Sequence, residues 1–213
     1  MTMDLTDPVG GRAKRALDLA VAVPLLVAAS PVMAAIALWV RRDSPGPALF
    51  KQTRIGEGGR PFKVLKFRTM VVGAQQMGTG IRVVSNDSRI TRAGNILRKT
   101  SLDELPQLIN VVRGDMSLVG PRPTVPEQVE RYTEHQRRRL LARPGVTGLA
   151  QVTGRQLLPW SERIEIDIRY IENWSMRRDL AIIARTALML LRRSDNHYRD
   201  AAPAFDLPEK PRD

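Results

Sequence analysis

The chain contains no cysteine. Disulfides, thiolate nucleophiles and cysteine-ligated zinc are therefore excluded. Histidine is nearly as scarce: His135 lies in a charged stretch and His197 near the C-terminus. Neither a histidine-based triad nor a histidine-ligated metal centre is expected. Aromatic residues make up only 5% of the chain, too few for a base-stacking platform, so nucleic acid is not an expected partner. Yet Lys and Arg number 34 against 22 Asp and Glu, a formal charge of +12. That balance favours anionic partners, here acidic lipid or phosphorylated substrates. Any chemistry must come from carboxylates, hydroxyls, Lys and Arg. A length of 213 residues suits one main domain with a single core.

Charge is also missing from Leu19 to Val40, LAVAVPLLVAASPVMAAIALWV. As one helix this run reaches about 33 Å, enough to cross a hydrocarbon core of ~30 Å. A plain transmembrane anchor is the simplest reading. Two features oppose it. Pro31 cannot donate to the Val27 carbonyl and crowds it, so a kink or break is expected at Ser30-Pro31, where the Ser30 hydroxyl can satisfy a freed carbonyl. Both flanks are basic, with Arg12, Lys14 and Arg15 before and Arg41 and Arg42 after. That pattern is best met if both ends stay on the cytoplasmic side. Because kinked helices also span membranes, the pattern alone leaves spanning and re-entrant helices open.

Ala48–Ile55 and Pro61–Arg68 flank Gly56-Glu-Gly-Gly59 and predict a short hairpin. Residues 71–86 read as a long loop. Helices are expected over Ile90–Arg98, Glu104–Arg113, Pro126–Ala142, Pro159–Asn173 and Asp179–Arg193. The last is apolar on a broad face and basic at its end, which suits a core helix or one lying in a membrane interface. On the fourth, Trp160, Ile164, Asp167, Ile168 and Ile171 share one face. Asp167 there implies a buried ion pair or a role at a site. The tail after Ser194, rich in Pro, Asp and Ala, reads as disordered.

One acidic pair stands out in this basic chain: Asp103-Glu104, within Lys99-Thr-Ser-Leu-Asp-Glu-Leu-Pro-Gln-Leu108. Ser101 three residues before Glu104 resembles a capping box, and Pro106 fits only a first helical turn. The structural reading is that Asp103 caps a helix and Glu104 complements its dipole. The functional reading uses the same geometry. Adjacent helix positions point about 100° apart, so the carboxylates have separate tasks. An ionised Asp103 can attack phosphorus, and a neighbouring carboxylate can hold Mg²⁺ together with phosphate oxygens. Arg98 and Lys99 would counter the phosphate charge. Arg122, between Pro121 and Pro123, is presented by a constrained backbone.

The run SLDELPQLINVVRGDMSLVGPRP, Ser101 to Pro123, resembles the signature of the bacterial sugar transferases. More narrowly it is similar to the monotopic phosphoglycosyl transferases. KRALD (Lys14 to Asp18), Ser30-Pro31, KFRTM (Lys66 to Met70), RPGVTGLAQVTGR (Arg143 to Arg155) and the Asp167, Tyr170, Asn173-Trp174-Ser175 spacing extend the likeness from about Arg12 to Arg193. The resemblance implies Mg²⁺-dependent transfer of phospho-sugar from a nucleoside diphosphate sugar, usually a UDP-sugar, to a polyprenyl phosphate, with release of UMP. It implies a covalent phosphosugar on Asp103, with Glu104 assisting at the metal. It places Arg98 and Arg122 near phosphates and Arg155 near the nucleotide end. Lys99 is a further candidate phosphate-binding residue, and Lys66, Arg68, Arg155 and Asp167 are the candidate substrate-binding residues. It also implies a re-entrant helix bent at Ser30-Pro31. With about eleven residues before Arg12, the chain is expected to be the minimal catalytic form of a family whose members often carry additional transmembrane helices.

The expected fold is α+β and mostly helical: an N-terminal tail (1–11), a re-entrant membrane helix (12–42), a catalytic domain (43–194) with a small hairpin and interfacial amphipathic helices, and a C-terminal tail (195–213). The expected place is the bacterial inner membrane, facing the cytoplasm. The rival reading is a membrane-anchored basic protein that binds nucleic acid or acidic lipid without catalysis.

Overall fold

A computed structural model of the protein describes residues 9–78, 87–154, 158–191 and Leu207. Helix α1, Gly11–Asp43, contains the whole uncharged run together with Pro24 and Pro31. It continues as one helix through Ser30-Pro31. The Val27 carbonyl, which Pro31 cannot serve, accepts the Ser30 hydroxyl at 2.7 Å. The expected local repair is present, and the chain stays helical across the proline. Apolar side chains at Val23, Leu25, Val27, Val32, Leu38 and Trp39 face outward.

Both ends of α1 dock on the rest of the chain. Near its start, Ala22 is buried. Lys14 donates to Asp179 at 2.5 Å and to the Tyr170 hydroxyl at 3.1 Å. Arg15 donates to the carbonyls of Val111 and Val112. Asp18 accepts from the Ser117 hydroxyl and the Leu118 N–H, each at 2.9 Å. At the far end Ile36 and Val40 are buried against Phe67, Ala93 and Leu97. Asp43 accepts the Ala93 N–H at 2.9 Å.

Strands β1 (Leu49–Ile55) and β2 (Pro61–Phe67) form the expected antiparallel hairpin, with Leu49 opposite Phe67 and Ile55 opposite Pro61. Gly58 and Gly59 turn the loop at φ 64° and 76°. Beyond it the chain loops through a short 3₁₀ turn, Ala74–Gln76. Helix α2 (Arg92–Thr100) is capped by Thr91, which accepts the Gly94 N–H. A 3₁₀ turn, Leu102–Glu104, leads to α3 (Gln107–Arg113). Asn110 of α3 accepts the Leu65 N–H and donates to the Lys63 carbonyl, tying α3 to β2.

A second sheet was not foreseen. Strand β3 (Ser117–Val119) pairs in parallel with β4 (Gly145–Thr147). Glycine is required where the two approach. A Cβ on Gly120 would lie 2.2 Å from the Arg143 carbonyl oxygen, and one on Gly145 would lie 2.1 Å from the Gly120 nitrogen. The glycines in the VGPRP and RPGVTG stretches thus serve close backbone packing.

The long helix expected over Pro126–Ala142 is instead divided into α4 (Pro126–Val129), α5 (Glu134–Arg137) and a 3₁₀ turn, Arg138–Leu141. The cause is Thr133, which forms a capping box with Gln136 and starts a new helix. Helices α6 (Leu149–Thr153), α7 (Trp160–Glu172) and α8 (Met176–Leu191) complete the described chain. On α7, Ile164, Asp167, Ile168 and Ile171 turn inward as the periodicity predicts. The main core joins Ala22, Val64, Val111, Met116, Tyr170 and Ile182. The expected C-terminal tail, 195–213, lies outside the described residues apart from Leu207, which is buried beside Val129, Tyr132, Ile164 and Ile168.

Asp179 is fully buried and also accepts from Tyr170 at 2.6 Å and from the Trp174 indole at 3.1 Å. Burial and the Asp179 carboxylate push the Tyr170 phenol up, so it stays a donor. Removing Asp179 leaves the Lys14 ammonium buried and unpaired, which costs about 3–5 kcal/mol. Asp179→Ala is expected to lower the melting midpoint in detergent by roughly 10 °C. Lys14→Met combined with Asp179→Leu should recover much of that loss. A single variant that melts like the parent would show that the pair is not buried in solution.

Candidate active site

The acidic pair sits on the 3₁₀ turn between α2 and α3. Ser101 closes α2 with a left-handed backbone, φ 57°, the only non-glycine residue with positive φ among those described. Leu102 and Leu105, on either side of the acids, pack into the core and pin the turn. The capping box suggested by Ser101 and Glu104 does not form. Ser101 makes no side-chain cap, and Glu104 points away to two cations. Lys66 of β2 donates to Glu104 Oε1 at 2.6 Å and Arg122 donates to the same oxygen at 2.9 Å.

Burial works against ionisation of Glu104, but Arg122 and Lys66 outweigh it and hold its carboxyl well below the usual range. Asp103 behaves differently. It has no hydrogen bond or ion pair among the described residues. Burial pushes its carboxyl up, the ionised Glu104 adds to this, and Lys66, Arg98 and Arg122 oppose it. The first turn of α3 begins only at Gln107, after Pro106, so Asp103 does not cap that helix.

Arg98 is half-buried in the last turn of α2, and Lys99 beside it is exposed. Arg68 does not join the pair. It is buried and donates to the carbonyls of Val40, Ser44, Pro45, Gly46 and Pro47 and to the Ser44 hydroxyl. Its guanidinium is fully engaged by the turn that leaves α1. Arg155 lies outside the described residues. Ser30 and Pro31 remain within α1.

Asp167 forms the buried ion pair that its helical position allowed, with Arg139 Nε at 2.7 Å. Arg139 also donates to the Arg122 carbonyl at 2.9 Å, to the Tyr132 hydroxyl at 2.9 Å and to the Thr124 hydroxyl. The Pro121-Arg122-Pro123 turn is thus held from behind by a charged network. Arg54 reaches the same turn, donating to the Pro123 carbonyl at 3.3 Å and to Gln52. Burial and the nearby Arg122 push Arg54 down to about 10. Sequence reasoning missed both residues. Arg139 sits in the run Gln136-Arg-Arg-Arg-Leu140, which reads as a solvated face, and Arg54 sits on a strand with no distinguishing neighbour.

The arrangement is a half-buried free carboxylate beside a carboxylate clamped by two cations, with arginines around them. Among the described residues no three carboxylate, histidine or cysteine side chains come together. Such a site suits a phosphorylated substrate approaching Asp103. A profile of the bacterial sugar transferases matches residues 9–193. The chain belongs to the bacterial sugar transferase family. It is an enzyme of the phosphoglycosyl transferase class, which sets aside the non-catalytic binding protein. It is 46% identical over 202 residues to a UDP-glucose:undecaprenyl-phosphate glucose-1-phosphate transferase of Caulobacter vibrioides, covering 87% of this chain and 72% of that protein. It is 43% identical to an undecaprenyl-phosphate galactose phosphotransferase of Salmonella typhimurium, over 84% of this chain but 40% of that protein. It is 39% identical to the exopolysaccharide production protein ExoY of Sinorhizobium fredii, over 84% and 85%.

The two carboxyls should titrate apart. In carboxyl-¹³C-labelled protein the Asp103 resonance, assigned with Asp103→Asn, is expected to titrate above the ordinary aspartate value of ~3.9. Lys66→Met removes the strongest cation opposing protonation and should move Asp103 higher still. A titration at or below the ordinary value in the parent protein would contradict the burial of this carboxyl.

Proposed function

We propose that this bacterial sugar transferase moves a sugar 1-phosphate from a nucleoside diphosphate sugar, a UDP-sugar foremost, to a polyprenyl phosphate. The product begins exopolysaccharide or glycoconjugate assembly. The observation that carries this reading is the unequal acidic pair: Glu104 fixed by Lys66 and Arg122, Asp103 half-buried and unpartnered among the described residues. The names of the relatives supply the substrate class.

In the first step an Asp103 carboxylate oxygen attacks the phosphorus that carries the sugar. The bond from that phosphorus to the bridging oxygen breaks, and UMP leaves with the electron pair. An acyl phosphosugar remains on Asp103. In the second step a polyprenyl phosphate oxygen attacks the same phosphorus, and the Asp103 carboxylate departs. A pyrophosphate-linked sugar results, and the enzyme returns to its starting state. Arg122, presented by its proline-flanked turn, binds phosphate oxygens through a planar fork. Arg98 and Lys66 add positive charge on either side, and Arg54 stiffens the turn.

The residues fit Mg²⁺. The Asp103 carboxylate has no competing partner among the described residues, and both bonds to Glu104 fall on Oε1. Mg²⁺ accepts one or two carboxylates and completes its shell with phosphate oxygens and water. When bound there, it would neutralise charge on the diphosphate. Arg68 has no part in this mechanism, and Asp167 acts only through Arg139.

The same reading makes α1 a re-entrant segment of a monotopic protein on the cytoplasmic face. Both of its ends are fastened to one body, at Lys14 and Asp18 and again at Val40 and Asp43. Ends on opposite sides of a bilayer could not both make those contacts. Leu180, Leu188, Leu190 and Leu191, exposed on α8, suit a helix lying in the interface.

Incubation with donor alone should release one UMP per active site and leave a labile phosphosugar on the peptide that contains Asp103. Asp103→Asn should abolish both signals while keeping the fold. UMP release that begins only after acceptor is added would refute the covalent route. For topology, cysteines replacing Leu5 and Asp200 should resist an impermeant thiol reagent in spheroplasts until lysis. Labelling at position 5 before lysis would require a spanning helix.

A further inference from the structure

Outside α1 and α8 the described chain exposes a second apolar group. Val71, Val72 and Met77 are 36%, 63% and 49% exposed, and Ile96 on α2 is 50% exposed. The loop Val71-Val-Gly-Ala-Gln-Gln-Met-Gly78 carries no charge, in a chain of which 26% is charged. It is not a loose segment. Arg89, paired with Asp87, donates to the carbonyls of Ala74 at 2.7 Å and Met77 at 2.8 Å. The Val71 N–H donates to the Arg89 carbonyl at 2.9 Å. Ala74 is buried. A buried cation thus grips the loop by its backbone and leaves its valines outward.

The loop lies at a definite level of the molecule. Val72 sits against the turn that follows α1, since a Cβ on Gly46 would come 2.6 Å from its Cγ2. Helix α2 starts at the same level, because Asp43 accepts the Ala93 N–H. At this end of α1, Leu38 and Trp39 are exposed and Arg41 and Arg42 follow. An aromatic ring followed by cations is the residue pattern of a headgroup boundary. The apolar loop therefore lies at the end of α1 that carries these residues.

We propose that the Val71–Met77 loop is a second membrane contact, a rigid wedge that enters the headgroup layer of the leaflet holding α1. Its partner is the lipid bilayer. The inference rests on the reading of α1 as a membrane segment. Two attachments, α1 and the loop, adjoin α2, whose last turn leads into Asp103. They fix the height and tilt of the acidic pair over the lipid, where an acceptor phosphate stands.

Because the native chain has no cysteine, single cysteines can carry an environment-sensitive fluorophore. Val72→Cys, Val27→Cys and Lys51→Cys would be labelled and reconstituted in phosphatidylcholine–phosphatidylglycerol vesicles containing nitroxide lipids of graded depth. The Val72 probe is expected to be quenched by shallow nitroxides, the Val27 probe by deep ones, and the Lys51 probe by neither. A quenched Val27 probe with an unquenched Val72 probe overturns this inference and leaves the membrane reading of α1 intact. If neither is quenched, both fall. In addition, Val71→Ser with Val72→Ser should raise the apparent KM for acceptor embedded in vesicles severalfold. The same variant should keep parental turnover with a short-chain acceptor in detergent. An unchanged KM in vesicles would show that the loop does not set the height of the site.

Discussion

A lysine ammonium buried against a carboxylate fastens the first turns of the apolar helix to the last helix of the domain. Lys14 and Asp179 are both buried, and Tyr170 and Trp174 complete the hydrogen bonding around the carboxylate. A buried ion pair adds little net stability compared with apolar packing, but it tolerates no other arrangement, because either partner alone would be stranded. It therefore specifies position. Asp18, one turn on, fixes β3 through Ser117 and Leu118. Arg15 fixes the end of α3. With Asp43 and Arg68 holding the other end, a helix of 33 residues is located against α2, α3, β3, α7 and α8 by polar contacts that apolar side chains could not direct.

The site inherits its geometry from that frame. Helices α2 and α3 are held against α1, so the turn between them has little freedom, and Leu102 and Leu105 remove more. The two carboxylates are then separated by electrostatics. Among the described residues Glu104 has two cations within hydrogen-bond distance and Asp103 has none. Arg122 is held by its prolines and by Arg139, whose own position depends on Asp167. A charged layer behind the turn thus orients the charged layer that faces substrate.

Much of this was legible in the sequence where the signal is local. The hairpin follows from a glycine loop between β-rich segments, and α7 from its 3.6-residue periodicity. The Ser30 repair follows from the missing proline N–H. The second sheet was not legible, because strands of three residues carry no period and pair across a long sequence gap. The capping box at Ser101 was misread because the motif does not reveal that Ser101 turns left-handed, which frees Glu104 for Lys66 and Arg122. The split in the expected Pro126–Ala142 helix had a signal, Thr133 followed by Gln136, the capping box that starts a new helix.

The charge balance carried the least information about position. A formal charge of +12 suggested a basic surface awaiting an anion. The structure distributes its cations differently. Lys14, Arg68, Arg89 and Arg139 are buried, and each holds a backbone turn or a carboxylate in place. A sequence cannot tell an arginine that clips carbonyls from one that meets phosphate, since both are chosen for a planar array of donors. Arg68 and Arg122 show the difference. The first has neighbouring carbonyls in number and turns inward. The second follows a proline, has its own carbonyl held by Arg139, and leaves its fork beside Glu104 at the surface. What distinguishes them is the supply of acceptors around each guanidinium, which only the fold determines.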